Sequence, residues 1–190
     1  MNKSNIYTIG HGAKSLDDLF EELFKFEIGF LIDIRSKPYS KYYPHFNKEA
    51  LVNVFKARTD INYSWWGDIL GGLPPADWNC YDTDGKIDYD KLGINPKFLS
   101  GIERIIKANE INCKVAMMCS EADPQMCHRS KLIGRVLGNY GIEVLHIVRN
   151  KRGEIIVKTQ KAIFSEIVNE KLDLFSASSE IHLTSRNSYV

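Results

Sequence analysis

The fold of this 190-residue chain turns on VAMMCSEADPQMCHRS, residues 115–130. An apolar run stops at Cys119, and Asp123-Pro124 then reads as a helix N-cap followed by proline at the first helical position. A run that is apolar at consecutive positions needs cover on both faces, as a central strand of a parallel sheet has. The pattern therefore predicts a strand over 113–119, a sharp polar turn, and a helix from Pro124 to about Asn139.

The same alternation continues in both directions. Residues 5–9 predict a buried strand broken by Gly10 and Gly12. Ser15 then caps a helix over 16–26, with Leu16, Leu19, Phe20, Leu23 and Phe24 at the helical period. Residues 28–34 form a second apolar strand, followed by a loop from Arg35 to Phe46 and a helix capped by Asn47 that runs to about Arg58. Residues 61–65 predict a third strand, and Gly67 to Asn95 reads as one long loop. Asn95-Pro96 opens a helix whose stripe is Leu99, Ile102, Ile105 and Ile106. Beyond the quoted stretch come strands at 143–148 and 154–158, the latter at an edge, and a helix over about 160–171. The prediction is an α/β fold: a single domain over 1–172 with a mainly parallel sheet covered by helices on both faces. Residues 173–190, rich in Ser and without a period, read as a polar C-terminal tail.

Composition narrows the function classes. The chain is 44% hydrophobic and 26% charged, with a formal net charge of +1. That balance places no global demand for a nucleic-acid or membrane partner. No apolar stretch reaches membrane-spanning length, and the first residues lack a signal-like apolar run. The expected location is therefore the cytoplasm, with the four cysteines as thiols. No Gly-rich phosphate loop is present, Gly10-x-Gly12 is a weak dinucleotide signal, and Asp82, Asp84, Asp88 and Asp90 miss the calcium-loop spacing. No cofactor is expected.

Ligands in open α/β sheets bind outside the carboxyl ends of the strands. Here the strand ends carry His11, then Asp33 and Arg35, then Cys119 and Glu121, with His146 near the end of a further strand. Parallel pairing would bring these groups to one crevice. Cys119 is the candidate nucleophile, His11 and Glu121 its acid/base partners, and Arg35 and Arg129 the anion holders. Asp33, Cys127, His128, His146 and Lys41 are further ligand-binding candidates.

On a continuous helix, Arg129 falls amid the apolar stripe of Met126, Ile133, Val136, Leu137 and Tyr140. A guanidinium there needs a carboxylate, an anion or solvent. Cys127 and His128 point elsewhere on such a helix, so no metal site is expected, although a Cys119–Cys127 disulfide stays open. Residues 35–48 (RSKPYSKYYPHFNK) mix Arg35, Lys37, Lys41 and Lys48 with five aromatic or imidazole rings and no acid, which suits phosphate contact with base stacking.

Several of these groups fall in a recurring order: Thr8-Ile9-Gly10-His11, Asp33-Ile34-Arg35 with Pro38 and Ser40, Leu70-Gly71-Gly72, Cys119-x-Glu121 with Cys127-His128-Arg129, and His146-Ile147. In that order they resemble domain of unknown function family 488 (DUF488), over roughly residues 6–148. The family usually has Ser where this chain has Gly12, and often Arg where this chain has Lys41. The resemblance implies a shared fold and site and supplies no reaction. The expected function is a cysteine-containing enzyme of unassigned reaction that binds an anionic ligand, such as a nucleotide, a phosphate or a nucleic-acid end. The alternatives are a non-catalytic nucleic-acid-binding module with a phosphate-clamp crevice, and a thiol-based redox sensor. The oligomeric state is left open.

Overall fold

The computed structural model describes residues 4–174 and 183–189. In chain order its elements are β1 (Ile6–Gly10), α1 (Leu16–Lys25), β2 (Phe30–Asp33), α2 (Lys48–Arg58), β3 (Asn62–Trp65), α3 (Gly67–Leu70), β4 (Lys86–Asp88), α4 (Tyr89–Gly93) and α5 (Pro96–Glu110). There follow β5 (Val115–Cys119), α6 (Arg135–Asn139), β6 (Leu145–Arg149), β7 (Ile155–Thr159), α7 (Gln160–Leu174) and β8 (Thr184–Ser188). Short 3-10 turns lie at Pro44–Phe46, Ala76–Trp78 and Pro124–Met126, and a π-helical turn at Arg129–Gly134.

Six strands make one sheet in the order β3-β2-β5-β1-β6-β7. All pairs are parallel except β6 with β7, so the expected α/β fold holds. Consecutive side chains of a strand face opposite sides. Tyr7, Ile9, Leu31, Ala116 and Met118 accordingly pack under Leu19, Phe20 and Leu23 of α1 and Leu51 and Phe55 of α2. Ile6, Ile32, Val115 and Met117 pack against Phe98, Ile102 and Ile105 of α5 and Ile163 and Ile167 of α7. Both faces are covered, which is why β1 and β5 are apolar at every position or nearly so.

Local chemistry sets the helix starts. Ser15 Oγ accepts from the Asp18 N–H at 3.1 Å while the Asp18 carboxylate accepts from the Ser15 N–H, a reciprocal cap on α1. Asn95 Oδ1 accepts from Lys97 N at 2.9 Å, with Pro96 in the first helical position of α5. Asn47 precedes α2 but its side chain does not cap it; Oδ1 takes the Ser40 N–H at 2.6 Å and so closes the basic loop instead.

Two further expectations change. The stretch 67–95 is not one structureless loop: α3, a 3-10 turn, β4 and α4 lie within it, and Leu70, Ile87, Tyr89 and Leu92 are buried. Its apolar residues are buried singly, with no period to read. The predicted helix from Pro124 to Asn139 is broken. Cys127 is extended (φ −122°, ψ 148°) between the 3-10 turn and the π-helical turn, and regular α-helix resumes only at Arg135. The Ser130 hydroxyl donates to the Pro124 carbonyl, a local bond that competes with regular helix.

The tail assigned to 173–190 falls partly on 175–182 and 190, which lie outside the described residues. Within its described part, β8 pairs antiparallel with β4. Among the described residues no helix is long and apolar enough to cross a membrane.

Candidate functional site

Register aligns the strand ends. Gly10 of β1 lies beside Cys119 of β5, and Met118 beside Asp33 of β2. Beyond these ends is a pocket of about 200 Å³, walled by Cys119, Glu121, Cys127, His128, Arg35, Lys37 and Tyr89, and by Ser185, Arg186 and Tyr189 from the β8 region.

Four groups at its base form one hydrogen-bonded cluster. Cys119 Sγ and Glu121 Oε2 are 2.8 Å apart. His128 Nδ1 stands 3.7 Å from the Cys119 sulfur and 3.7 Å from the Cys127 sulfur. The break at Cys127 makes this possible, because an extended residue followed by a helical one sends adjacent side chains to the same place. The backbone N–H of Arg129 also points at the Cys127 sulfur, at 3.5 Å.

Protonation follows from these contacts. A hydrogen bond from the Cys127 thiol holds the Cys119 thiol well below its ordinary range, against burial, with the His128 charge and the Glu121 hydrogen bond adding to the effect. Burial, and the Cys119 sulfur beside it, push Cys127 well up. The two shifts are opposed, so Cys119 is the sulfur favoured to ionise. Burial works to lower His128, but the Cys119 charge and hydrogen bond outweigh it, so the ring stays protonated above its usual range. Burial, with the neighbouring thiolate, raises Glu121 and favours its neutral, hydrogen-donating form.

Arg35 is fixed at the other wall. It chelates the buried Asp33 carboxylate through Nε at 2.8 Å and Nη2 at 2.6 Å, and Nη2 also donates to the Phe46 carbonyl. Tyr63 donates to the same carboxylate at 2.8 Å. His11 stacks on Phe46, its Nδ1 bonds the Gly12 carbonyl at 2.9 Å, and its Nε2 faces Arg35 Nη1 at 3.3 Å. Burial first, and the Arg35 charge second, lower its pKa to about 4. Nδ1 then carries the proton and Nε2 accepts from Arg35.

The other predicted site residues lie apart from the pocket wall. Arg129 is fully buried, Nη2 donates to the Ala122 carbonyl at 2.7 Å, and Nε and Nη1 have no hydrogen-bond partner. It makes no ion pair with Glu121 or Asp33 among the described residues. His146 is wholly enclosed on β6, bonded to Thr8 Oγ1 at 2.7 Å and to Gln160 Oε1 at 2.8 Å. Lys41 is exposed and lines no part of the pocket.

The sequence profile of the family described as Domain of unknown function DUF488 matches residues 15–136, well over half of the chain. The chain belongs to the DUF488 family. No match is found among curated proteins or among solved structures. The DUF488 span takes in Arg35, the Leu70-Gly71-Gly72 element, and Cys119 through Arg129; it leaves His11, His146 and β8 outside.

Two glycines of the motifs acquire physical reasons. A Cβ on Gly72 would sit 2.8 Å from Cγ and Nδ1 of His128, so the bare backbone there seats the ring. Gly12 stands at φ +52° with Ala122 Cβ 3.0 Å from where its own Cβ would be, so a side chain there would be strained in this chain. Sequence reasoning missed Tyr89, Arg186 and Tyr189. Arg186 carries a usable signal, a lone cation in a Ser-rich stretch, but nothing in the pattern joins 184–188 to 86–88.

Proposed function

We propose that this DUF488 chain is an enzyme in which Cys119 is the nucleophile toward a small anionic substrate. The observation that carries the reading is the Cys119 sulfur, 2.8 Å from Glu121 and 3.7 Å from His128, at the base of a pocket whose wall carries Arg35, Lys37 and Arg186. A thiolate needs an electropositive setting to exist and a neighbouring acid to be useful. The pocket volume suits a small molecule or the charged end of a larger one, since pockets that enclose drug-sized ligands begin at about 300 Å³.

The step that fits these groups is transfer through a sulfur-bound intermediate. The Cys119 thiolate bonds to the electrophilic centre as the leaving group departs with the bonding electrons, and neutral Glu121 gives that group its proton. Water then attacks the sulfur-bound group, Glu121 takes the proton back, and the thiolate leaves. His128 balances charge at sulfur throughout. Arg35, oriented by Asp33 and His11, steadies the anionic group. His11 thereby becomes a positioning residue, because its free nitrogen is already engaged by Arg35.

Iodoacetate and iodoacetamide, read by peptide mass mapping, test this. A free thiol prefers the neutral reagent. Cys119 is expected to prefer iodoacetate, to react before Cys80 and Cys113, and to lose that preference at high salt. Preference for iodoacetamide, or a rate no faster than Cys113, would overturn the reading.

A second reading has its own support. Tyr39 and Tyr42 are exposed beside Lys41, and Lys37 from the same loop walls the pocket. That surface suits a single strand of nucleic acid whose phosphate end is the anion, held with or without chemistry. It predicts salt-dependent binding of a 5′-phosphorylated oligonucleotide that weakens in Tyr42→Ala and Lys41→Ala. Binding indifferent to both changes removes it.

A further inference from the structure

The sulfur pair and His128 also meet the requirements of a metal site. The ligand atoms of Cys119, Cys127 and His128 all lie within 4.8 Å of one another, and all three residues are buried. For zinc with sulfur ligands at about 2.3 Å and nitrogen at about 2.0–2.1 Å, tetrahedral geometry sets nitrogen about 3.5 Å from sulfur. The observed separations are 3.7 Å on both sides of Nδ1. Closing that difference takes side-chain adjustment of a few tenths of an ångström, with no movement of the sheet.

Two further observations favour a cation at this point. The donors come from two rigid places, the end of a central strand and the mouth of the π-helical turn, so the ligand set is organised in advance. The backbone N–H of Arg129 points at the Cys127 sulfur, the kind of outer contact that orients a metal thiolate.

We propose that Cys119, Cys127 and His128 bind a zinc-class divalent ion, with the fourth coordination position open to the pocket beside Glu121. Two thiolates and one imidazole are soft to borderline donors, which select zinc over magnesium or calcium. Binding stands on the geometry of the three donors alone. Its consequence rests on the role assigned to Cys119: a thiolate bound to zinc is a weaker nucleophile than a free one. Zinc loading and full thiolate reactivity are then opposed states of one site.

Cobalt is the probe for binding, because tetrahedral thiolate coordination gives it intense visible and charge-transfer absorption. The reduced full-length chain is expected to take one Co²⁺ per chain with those bands, to lose them when Zn²⁺ is added, and to keep them in Cys80→Ser. Zinc should also slow carboxymethylation of Cys119 and Cys127 together by at least about tenfold, leaving Cys113 unchanged. That protection is read on the unmodified chain, so it holds even where Cys127→Ser fails to fold. Absent thiolate bands, or zinc that spares neither cysteine, overturns the inference while leaving the nucleophile reading intact. Full cobalt binding with a Cys119 that is sluggish when metal-free does the reverse.

Discussion

Two buried histidines behave in opposite ways. His146 joins Thr8 to Gln160 in a closed chain, both ring nitrogens bonded, and burial drives its pKa down to about 4. His128 is also buried, yet its proton is held above the ordinary range because the Cys119 sulfur faces it. Burial alone discharges a histidine; burial beside an ionised sulfur charges it. The sequence offers both as ligand candidates, and only the company each keeps separates a structural staple from a reactive group. Gln160 makes the point again, since it also donates to the Ser130 carbonyl and so fastens His146 to the π-helical turn.

The contrast can be broken by substitution. His128→Asn removes the cation beside Cys119, and the rate of Cys119 alkylation near pH 7 should fall on the order of tenfold to hundredfold, with the thermal midpoint moving little by comparison. His146→Ala should do the opposite. It leaves Thr8 and Gln160 without their shared partner, costs about 1–3 kcal/mol in denaturant unfolding, and leaves Cys119 reactivity unchanged. If His146→Ala slows Cys119 as much as His128→Asn does, the two clusters are not separate and the contrast fails.

Acid sharpens the same comparison. His11 and His146 are lowered to about 4 from an ordinary 6.5, so between those values the unfolded chain binds protons that the folded chain refuses. Stability is therefore fully supported above about pH 6.5 and falls as the pH drops toward 4. His128 has the opposite sign: its raised value stabilises the fold at low pH, and that contribution fades as pH rises through it. Denaturant unfolding of the unmodified chain between pH 4 and 7 should show the acid loss, and His146→Gln should flatten it in part. A flat profile contradicts the assigned protonation states.

Smaller effects test the seat and the walls. Gly72→Ala pushes a methyl group against the His128 ring and should slow Cys119 roughly threefold to tenfold, less than loss of the ring itself. Lys37→Ala should lower the iodoacetate rate by about twofold to fivefold, as expected for one partly screened surface charge, while Lys41→Ala should leave it unchanged. Equal effects from the two lysines would mean that the loop acts by general charge and that the pocket wall has no special part.

These tests also show where the sequence could be read and where it could not. β1, β5 and α1 follow from continuous apolar runs and a regular period, because core burial imposes both. Cys119, Glu121 and Arg35 follow from the rule that parallel strand ends converge. Cys127 and His128 diverge on one unbroken helix from Pro124; an extended residue at 127 and a π-helical turn after it bring them together and erase the period that reveals their direction. Arg129 is buried, but it turns to the Ala122 carbonyl and lines no part of the pocket. Arg186 and Tyr189 depend on a three-residue strand meeting a five-residue one about a hundred positions away, and so short a pairing leaves no pattern.

The pH dependence of Cys119 carboxymethylation, followed by peptide mass in the reduced, metal-free chain, tests the central claim most directly. The account predicts a rate already at its plateau near neutral pH, with an apparent pKa well below that of an ordinary thiol. A rate that climbs through the normal thiol range, in step with Cys113, would contradict it.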